Sequence, residues 1–566
     1  MDEDKLLALA KRRGFFYPAF EIYGGVAGLY EYGPMGAALK ANIADRWRRF
    51  YVLGEGFAEI DSPNVSPEEV FAASGHVKEF TDFSVECTKC REAFRADHLV
   101  KDIENPAALG ADGLSAALKG QGAKCPSCGG ELSVPQKVNL MFKTQIGPTA
   151  NSRVGYLRPE TAQAMFFSFV NHYRHFREQL PFGVVQVGRG FRNEISPRQG
   201  LLRQREFNMM EAEVFVHPER KTWPRFHEVA DDRLRLVSND GKEHVIAAKD
   251  AVHKGIIKNE ALAYFVALTQ RFLLDVGIDP KRLRFRQHLT NEMAHYASDC
   301  WDAEVELSYG WVEAVGVADR GSYDLDQHIR HSGAQLTAFE RFAEANEVER
   351  DVIAPVHARL GPLFKGKAKA IAAAMESAEG LAVESDGTIK LAIDGAEVTV
   401  PPECFERKRV REKVSGRRFV PHVIEPSYGL DRILYSVMEH SYHEEEKEEY
   451  TVMRLPISVA PIKFGVFPLM AKDGLDGFAM KLDAELRDAG VVTSYDDSGS
   501  IGRRYARMDE VGTPFCVTVD HETLEKGTVT IRDRDSKAQV RVPAKELAAL
   551  APRLLRHGFS VAKGGK

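Results

Sequence analysis

Hydrophobic positions along the chain alternate between helical and strand spacing. The segment ALKANIADRWRRFYV places apolar residues every three or four positions and predicts a helix. It is entered through a glycine-rich stretch, EIYGGVAGLYEYGPMG, and followed by the strand-like GFAEIDSP, which Pro63 ends. Residues 84 to 135 lose this periodicity, turn polar and glycine-spotted, and read as a small inserted module. Alternation resumes from Asn139, with a helix after Pro159 and a strand at FNMMEAEVFV, whose alternate residues point to one face. After a charged excursion at 217 to 260, ALAYFVALTQRFLLDVG predicts a helix that leads into a motif-rich segment from Arg284 to Asp326. Residues 333 to 405 hold the alanine- and lysine-rich helix KGKAKAIAAAM and short strands, a second expected insertion. The acidic run HEEEKEEY reads as a solvated turn or helix end. From Leu455, strand, helix, strand, helix and strand succeed one another, which predicts a separate C-terminal α/β domain.

The expected division is 1–84, 85–135, 136–332, 333–405, 406–454 and 455–566, with the second insertion and the module at 85–135 interrupting one larger domain. A chain of 566 residues is too long for one core, which agrees with several domains. Lys plus Arg number 76 against 82 Asp plus Glu, so any nucleic acid must be met by local basic patches rather than by net charge. The first residues hold no apolar run of the kind a secretory signal needs, and no stretch approaches a membrane span. The expectation is a cytoplasmic protein without a membrane.

Four of the seven cysteines form two Cys-x-x-Cys pairs, Cys87 with Cys90 and Cys125 with Cys128. Such knuckles supply four soft thiolates for a tetrahedral structural zinc site, with no open position left for catalysis. The 34 residues between Cys90 and Cys125 exceed the usual ribbon spacing and predict an excursion of their own. Cys300, Cys404 and Cys516 stand alone and suit buried apolar positions. His328 and His331 suggest nothing definite.

The chemistry concentrates in GRGFRNEISPRQGLLRQREFNMMEAEVF, residues 188 to 215. Two strands joined by a basic loop place arginines and an aromatic ring over one face. A guanidinium grips phosphate oxygens bidentately and a ring stacks on a purine, so this is nucleotide chemistry without a glycine-rich phosphate loop. Phe191, Arg192, Glu194 and Phe207 here resemble motif 2 of the class II aminoacyl-tRNA synthetases. The glycine-rich entry, helix and strand ending at Pro63 are similar to motif 1, the dimer-forming element, and GLDRILY at 429 to 435 to motif 3. Within that class, GFFYPAFEIYGGVAGLYEYGP, LRPETAQAMF, CWDAEVELSYGWVEAVGVADR and EPSYGLDR resemble the homodimeric glycyl-tRNA synthetase family across nearly the whole chain.

The resemblance implies an antiparallel catalytic sheet flanked by helices, carrying a zinc-type insertion, and a C-terminal mixed-sheet anticodon-binding domain. It implies ATP, Mg2+ and structural Zn2+, with glycine and its tRNA as substrates and a homodimer as the assembly. Arg192 is expected at the α-phosphate, Glu194 at the adenine amino group, and Phe207 and Arg432 on either side of adenine, with Arg432 reaching the γ-phosphate. Arg203 is expected at the pyrophosphate, while Glu304 and Glu425 are candidate magnesium ligands. Glu160, Glu211 and Glu425, with Ser427, are expected around the glycine ammonium, and Arg320 near its carboxylate. Filling such a pocket leaves no room for a methyl group, worth about 1 to 3 kcal/mol against alanine.

Arg503, Arg504 and Arg507, at helical spacing, are expected either to meet tRNA or to form an ordinary solvated helix face. Taken singly, any of the site arginines and glutamates could instead form a surface ion pair. Two rival functions stay open. One is a synthetase for serine, proline or threonine, and the other is a synthetase-like nucleic-acid-binding subunit that has lost its activity.

Overall fold

The computed structural model describes the chain apart from residues 1–2, 104–105, 150, 198, 290–297, 378–382, 394–395, 446–449 and 564–566. Two compact units emerge, one built from Met1–Leu336 and Val420–Lys566 and the other from Thr337–Phe419. Among the described residues no helix is long and apolar enough to cross a membrane.

The centre of the first unit is a nine-stranded sheet. Its strands in chain order are β1 (Ala58–Glu59), β2 (Phe182–Phe191), β3 (Glu206–Val216), β4 (Arg233–Val237), β5 (Glu243–Ala247), β6 (Leu283–Gln287), β7 (Asp299–Leu307), β8 (Gly310–Gly321) and β9 (His422–Gly429). Their spatial order is β5-β4-β6-β7-β8-β9-β3-β2-β1. Only β1 with β2 and β4 with β6 run parallel. The expected strand after the first helix shrinks to the two residues of β1.

Period-two alternation assigns the two faces. On β3, Met210, Ala212, Val214 and Val216 enter the core, which leaves Phe207, Met209, Glu211 and Glu213 on the other side. Helix α1 (Pro34–Arg48), with Pro34 at its first position, buries Leu39, Ile43 and Trp47 in that core. Helix α2 (Glu260–Asp275) is capped by Asn259, whose side chain accepts from the Leu262 amide, and is buried continuously from Ala261 to Thr269. The hydroxyls of Tyr51 and Tyr428 lie 2.8 Å apart, and Thr269 Oγ1 lies 2.7 Å from that of Tyr428, so these buried polar atoms satisfy one another. Helix α3 (Tyr323–Ser332) follows β8, and helix α4 (Leu430–Ser441) continues directly from β9.

The C-terminal sheet comprises β10 (Phe464–Pro468), β11 (Thr493–Tyr495), β12 (Phe515–Val519), β13 (Thr528–Asp533) and β14 (Gln539–Pro543), ordered β11-β10-β12-β13-β14. Its first three strands are parallel and the last two antiparallel, the mixed sheet expected. Helices α5 (Leu475–Asp488) and α6 (Ile501–Val511) provide the crossovers.

One boundary differs from expectation. The second unit ends at Phe419 rather than 405, because strand 405–419 pairs along its length with strand 338–355. A small lobe of two helices and a hairpin closes this ribbon around Leu360, Ile371, Met375 and Ile389. The acidic run belongs to a hairpin, Tyr442–Glu445 with Tyr450–Met453, and its centre lies outside the described residues.

Candidate active site

A cavity of about 300 Å³ opens over the polar face of the large sheet, and its lining includes Arg192, Glu194, Arg203, Phe207, Glu313, Ser427 and Arg432. Gly190 pairs across the strands with Phe207, and a Cβ there would stand 2.7 Å from the phenyl ring. Glycine at that position lets the ring lie flat across the sheet. The Arg192 guanidinium sits between two rings, 5.3 Å from the centroid of Phe207 and 5.4 Å from that of Phe80, and its Nε donates to the Pro159 carbonyl at 3.3 Å. Arg203 Nε donates to Glu194 at 2.9 Å. Arg432, in the first turn of α4, donates to the carbonyls of Leu202 (3.1 Å) and Glu313 (2.8 Å), and its Nη1 lies 3.3 Å from the Glu313 carboxylate.

Asp431 ties these parts together. It accepts from the Asn208 amide at 2.7 Å, from Asn208 Nδ2 at 2.9 Å, from Gln204 Nε2 at 2.9 Å and from the Tyr32 hydroxyl. Gln204, Tyr32 and the start of β3 are thereby tied to α4 through one carboxylate.

Beside the cavity the same face becomes acidic. Glu211 Oε1 accepts from Ser427 Oγ at 2.6 Å, and Oε2 accepts from the Thr161 amide at 2.7 Å and from the Thr161 hydroxyl. Glu425, on β9, accepts from Arg320 Nη1 at 2.8 Å, while Arg320 Nε and Nη2 grip Asp324 at 2.8 and 3.1 Å. Glu160 accepts from Gln163 at 2.8 Å and lies 3.6 Å from His76 Nε2. Gln163 in turn meets Asp324 at 3.2 Å and His328 at 2.9 Å.

Carboxyls here outnumber the cations that face them. Burial pushes Glu425 up to about 7 against the pull of Arg320, and the charges of Glu211 and Glu160 add to the rise. Burial and the charge of Glu160 raise Glu211 despite its hydroxyl and amide donors. Burial also opposes ionisation of Glu160, but His76 and Arg320 outweigh it and hold that carboxyl below the usual range. Such a pocket is short of positive charge and is suited to a small cation.

The two candidate magnesium ligands are already engaged by arginines. Glu304 meets Arg284 at 2.7 Å and Arg286 at 3.0 Å and does not line the cavity. Glu313, which faces Glu304 across the β7–β8 pair, lines the cavity instead and lies beside Arg432. Glu425, the other candidate magnesium ligand, gives an oxygen to Arg320 and is likewise not part of the cavity lining.

In the inserted module, Cys87, Cys90, Cys125 and Cys128 bring their sulfurs within 4.8 Å of one another. Cys87 and Cys128 are 3.4 Å apart, and Cys90 and Cys125 3.6 Å. Zn–S bonds of about 2.3 Å at tetrahedral angles set sulfurs about 3.8 Å apart, so the four thiols fit that ion. A Cβ on Gly130 would approach Cys87 Sγ to 2.9 Å, which makes glycine part of the cradle. The excursion expected between the pairs contains the helix Gly110–Gly120.

In the C-terminal domain, Arg504 is 3% exposed and donates to the carbonyls of Pro468, Asp497 and Gly499. It braces the fold and is not presented to a partner, which removes it from the candidate tRNA contacts. Arg507 pairs with Asp496 at 2.5 Å, and Arg503 is exposed. Cys300, Cys404 and Cys516 are buried, as expected.

Residues 142–441 match the family model of the class II tRNA synthetase core domain (G, H, P, S and T), and residues 457–553 match the anticodon binding domain. The chain is 50% identical to the glycine–tRNA ligase of Methanothrix thermoacetophila, over 99% of this chain and 98% of the relative. It is 49% identical to the enzyme of that name from Archaeoglobus fulgidus, over 100% and 99%, and 48% identical to that of Methanocaldococcus jannaschii, over 96% and 97%. The chain belongs to the glycine–tRNA ligase family.

It is thus an aminoacyl-tRNA synthetase of class II, and its fold also resembles Giardia lamblia prolyl-tRNA synthetase, with a TM-score of 0.50 at 14% identity over 99% of this chain and 81% of that one. Within this family member the structure groups Arg192, Glu194, Arg203, Phe207, Ser427 and Arg432 at one cavity, and Glu160, Glu211, Arg320 and Glu425 beside it, with Ser427 bonded to Glu211. Three acids that stand among these side chains were not singled out from the sequence: Glu313 and Asp431 at the cavity and Glu213 near Glu425. The alternation in MMEAEVFV carries the signal for Glu213, two residues from Glu211 and so on the same face.

Proposed function

We propose that the chain attaches glycine to the 3′ end of its tRNA in two steps. A glycine carboxylate oxygen attacks the α-phosphorus of ATP, the bond to pyrophosphate breaks, and glycyl-adenylate forms. A hydroxyl of the terminal tRNA ribose then attacks the glycyl carbonyl, AMP leaves, and no covalent enzyme intermediate is needed. The relatives' shared name supports this reading, and the acidic pocket beside Arg320 carries it: carboxylates with too few cations suit an ammonium group.

Arg192 and Arg432 would steady the phosphates as charge builds on them, Phe207 would stack on adenine, and Glu194, released from Arg203, would accept its amino group. Bound with the nucleotide, Mg2+ would neutralise phosphate charge. Glu313 suits that ion better than Glu304, because it lines the cavity and Glu304 is committed to two arginines. Glu160, Glu211, Glu425 and Ser427 would hold the ammonium, and Arg320 would orient the substrate carboxylate.

The cysteine cluster would hold structural Zn2+, for which the spacing of its four sulfurs is suited. A homodimer through the N-terminal segment is supported by the exposure of Ile22 (88%) and Tyr23 (84%), large apolar side chains that a second copy would cover. A cytoplasmic location accords with a role in translation. Charging of a tRNA(Gly) transcript with labelled glycine tests the function. Glycine ester on the tRNA is expected, and ATP-dependent charging with serine or proline instead would overturn it.

A further inference from the structure

Glu213 is fully buried, and neither of its carboxyl oxygens has a hydrogen-bond partner among the described residues. A buried carboxyl left in that state costs several kcal/mol if ionised. Its surroundings add to the difficulty. The register that pairs Glu211 with Ser427 and Val214 with Ile424 sets Glu213 opposite Glu425, so two acids face each other across neighbouring strands. Glu211 lies two residues along the same face of β3, Asp324 approaches from α3, and Glu160 stands before the helix at 162–167. Against these stand Arg320 of β8, already shared between Glu425 and Asp324, and His328 of α3, whose imidazole burial holds below its ordinary range. On the β2 side Glu213 faces Val184, which offers no charge.

We propose that Glu213 is a further amino-acid-binding residue, the carboxyl that answers the incoming ammonium group from behind Glu211 and yields its proton to solvent as it does so. In the empty pocket burial first, and then the charge of Glu425, raise the Glu213 carboxyl well above its ordinary range against the pull of Arg320, and so favour its protonated form. When the ammonium enters, the Glu213 O–H bond breaks, the proton leaves to the buffer, and the carboxylate pairs with the cation that replaces it. At the ammonium end the charge therefore changes little, and each positive group admitted there displaces a proton. An amino acid whose nitrogen is uncharged brings no such exchange.

The inference rests on the glycine reading, and calorimetry of glycine binding to the full-length protein separates the two. Titrations at pH 8 in phosphate and in Tris give the number of protons released from the dependence of the heat on the buffer. Glu425, at about 7, is only about a tenth protonated at that pH, so it alone releases about a tenth of a proton. Release approaching one proton is expected if Glu213 also responds. Glu213→Gln should lower the release toward a tenth and weaken glycine about tenfold, the worth of one charge-assisted contact. Glu213→Met should do the same, and its apolar side chain leaves no unpaired polar atom should the amide fold poorly. Release of a tenth of a proton or less in the wild type, or an unchanged release and affinity in either variant, would overturn the role of Glu213. Failure of the wild type to bind glycine at all would instead remove the reading beneath it.

Discussion

Replacing Glu211 by Gln isolates the electrostatic part of amino-acid recognition. The carboxylate accepts from Ser427 Oγ at 2.6 Å on one oxygen and from the Thr161 amide at 2.7 Å on the other. A glutamine in the same rotamer keeps its carbonyl on the Thr161 amide and turns its amide nitrogen toward Ser427 Oγ, which can accept. The local packing therefore survives, and what disappears is the negative charge offered to the ammonium. Hydrogen bonds to charged groups are worth about 1.5 to 3 kcal/mol, which converts to a rise in glycine KM of roughly 10- to 150-fold. The KM for ATP should change less than about twofold, since the cavity lining of Arg192, Phe207 and Arg432 is untouched. Glycine-dependent exchange of pyrophosphate into ATP measures both constants. A glycine KM within twofold of wild type, or an equal rise in both KM values, would refute the assignment of Glu211 to the ammonium.

Other consequences follow from the same geometry. Arg432→Ala should lower kcat for glycine activation by about 10² to 10³, with folding intact by circular dichroism, because it removes a positive group where charge develops; a change below fivefold would count against that role. Cys125→Ser should abolish one equivalent of bound zinc by elemental analysis and lower the midpoint of thermal unfolding, whereas Cys516→Ser should leave zinc content unchanged. Because Glu425 stays protonated in the fold to about 7 while the unfolded chain loses that proton near 4.5, stability of the glycine-free protein should fall as pH rises through that window, by up to about 3 kcal/mol from this group. Saturating glycine should raise the unfolding temperature more at pH 8 than at pH 5.5, a comparison that scanning fluorimetry makes directly.

The motifs were legible because each joins a backbone pattern to a chemical demand: alternation in FNMMEAEVFV sets Glu211 on the site face, and GLDR puts Arg432 in the first turn of α4. What stayed hidden depends on register or on direction. Glu304 and Glu313 oppose each other across the β7–β8 pair beside a bulge between Ala303 and Glu304, and periodicity alone can place neither that bulge nor the partner of each acid. Arg504 shares helical spacing with Arg503 and Arg507, yet it turns inward to carbonyls at the helix N-terminus, a partner set contributed by residues as distant as Pro468. The end of the second unit was misplaced because the charged strand 405–419 has no apolar alternation; its pairing is with strand 338–355, far away in sequence.

The central claim is an acidic pocket that takes a small zwitterion next to a site for ATP. Pyrophosphate exchange with the purified protein, supplied in parallel with glycine and with alanine, tests it most directly. Exchange should depend on glycine, with kcat/KM for alanine lower by about tenfold or more, as expected for a methyl group forced into a filled pocket. Exchange that proceeds equally with alanine, or that does not respond to glycine, would contradict the account.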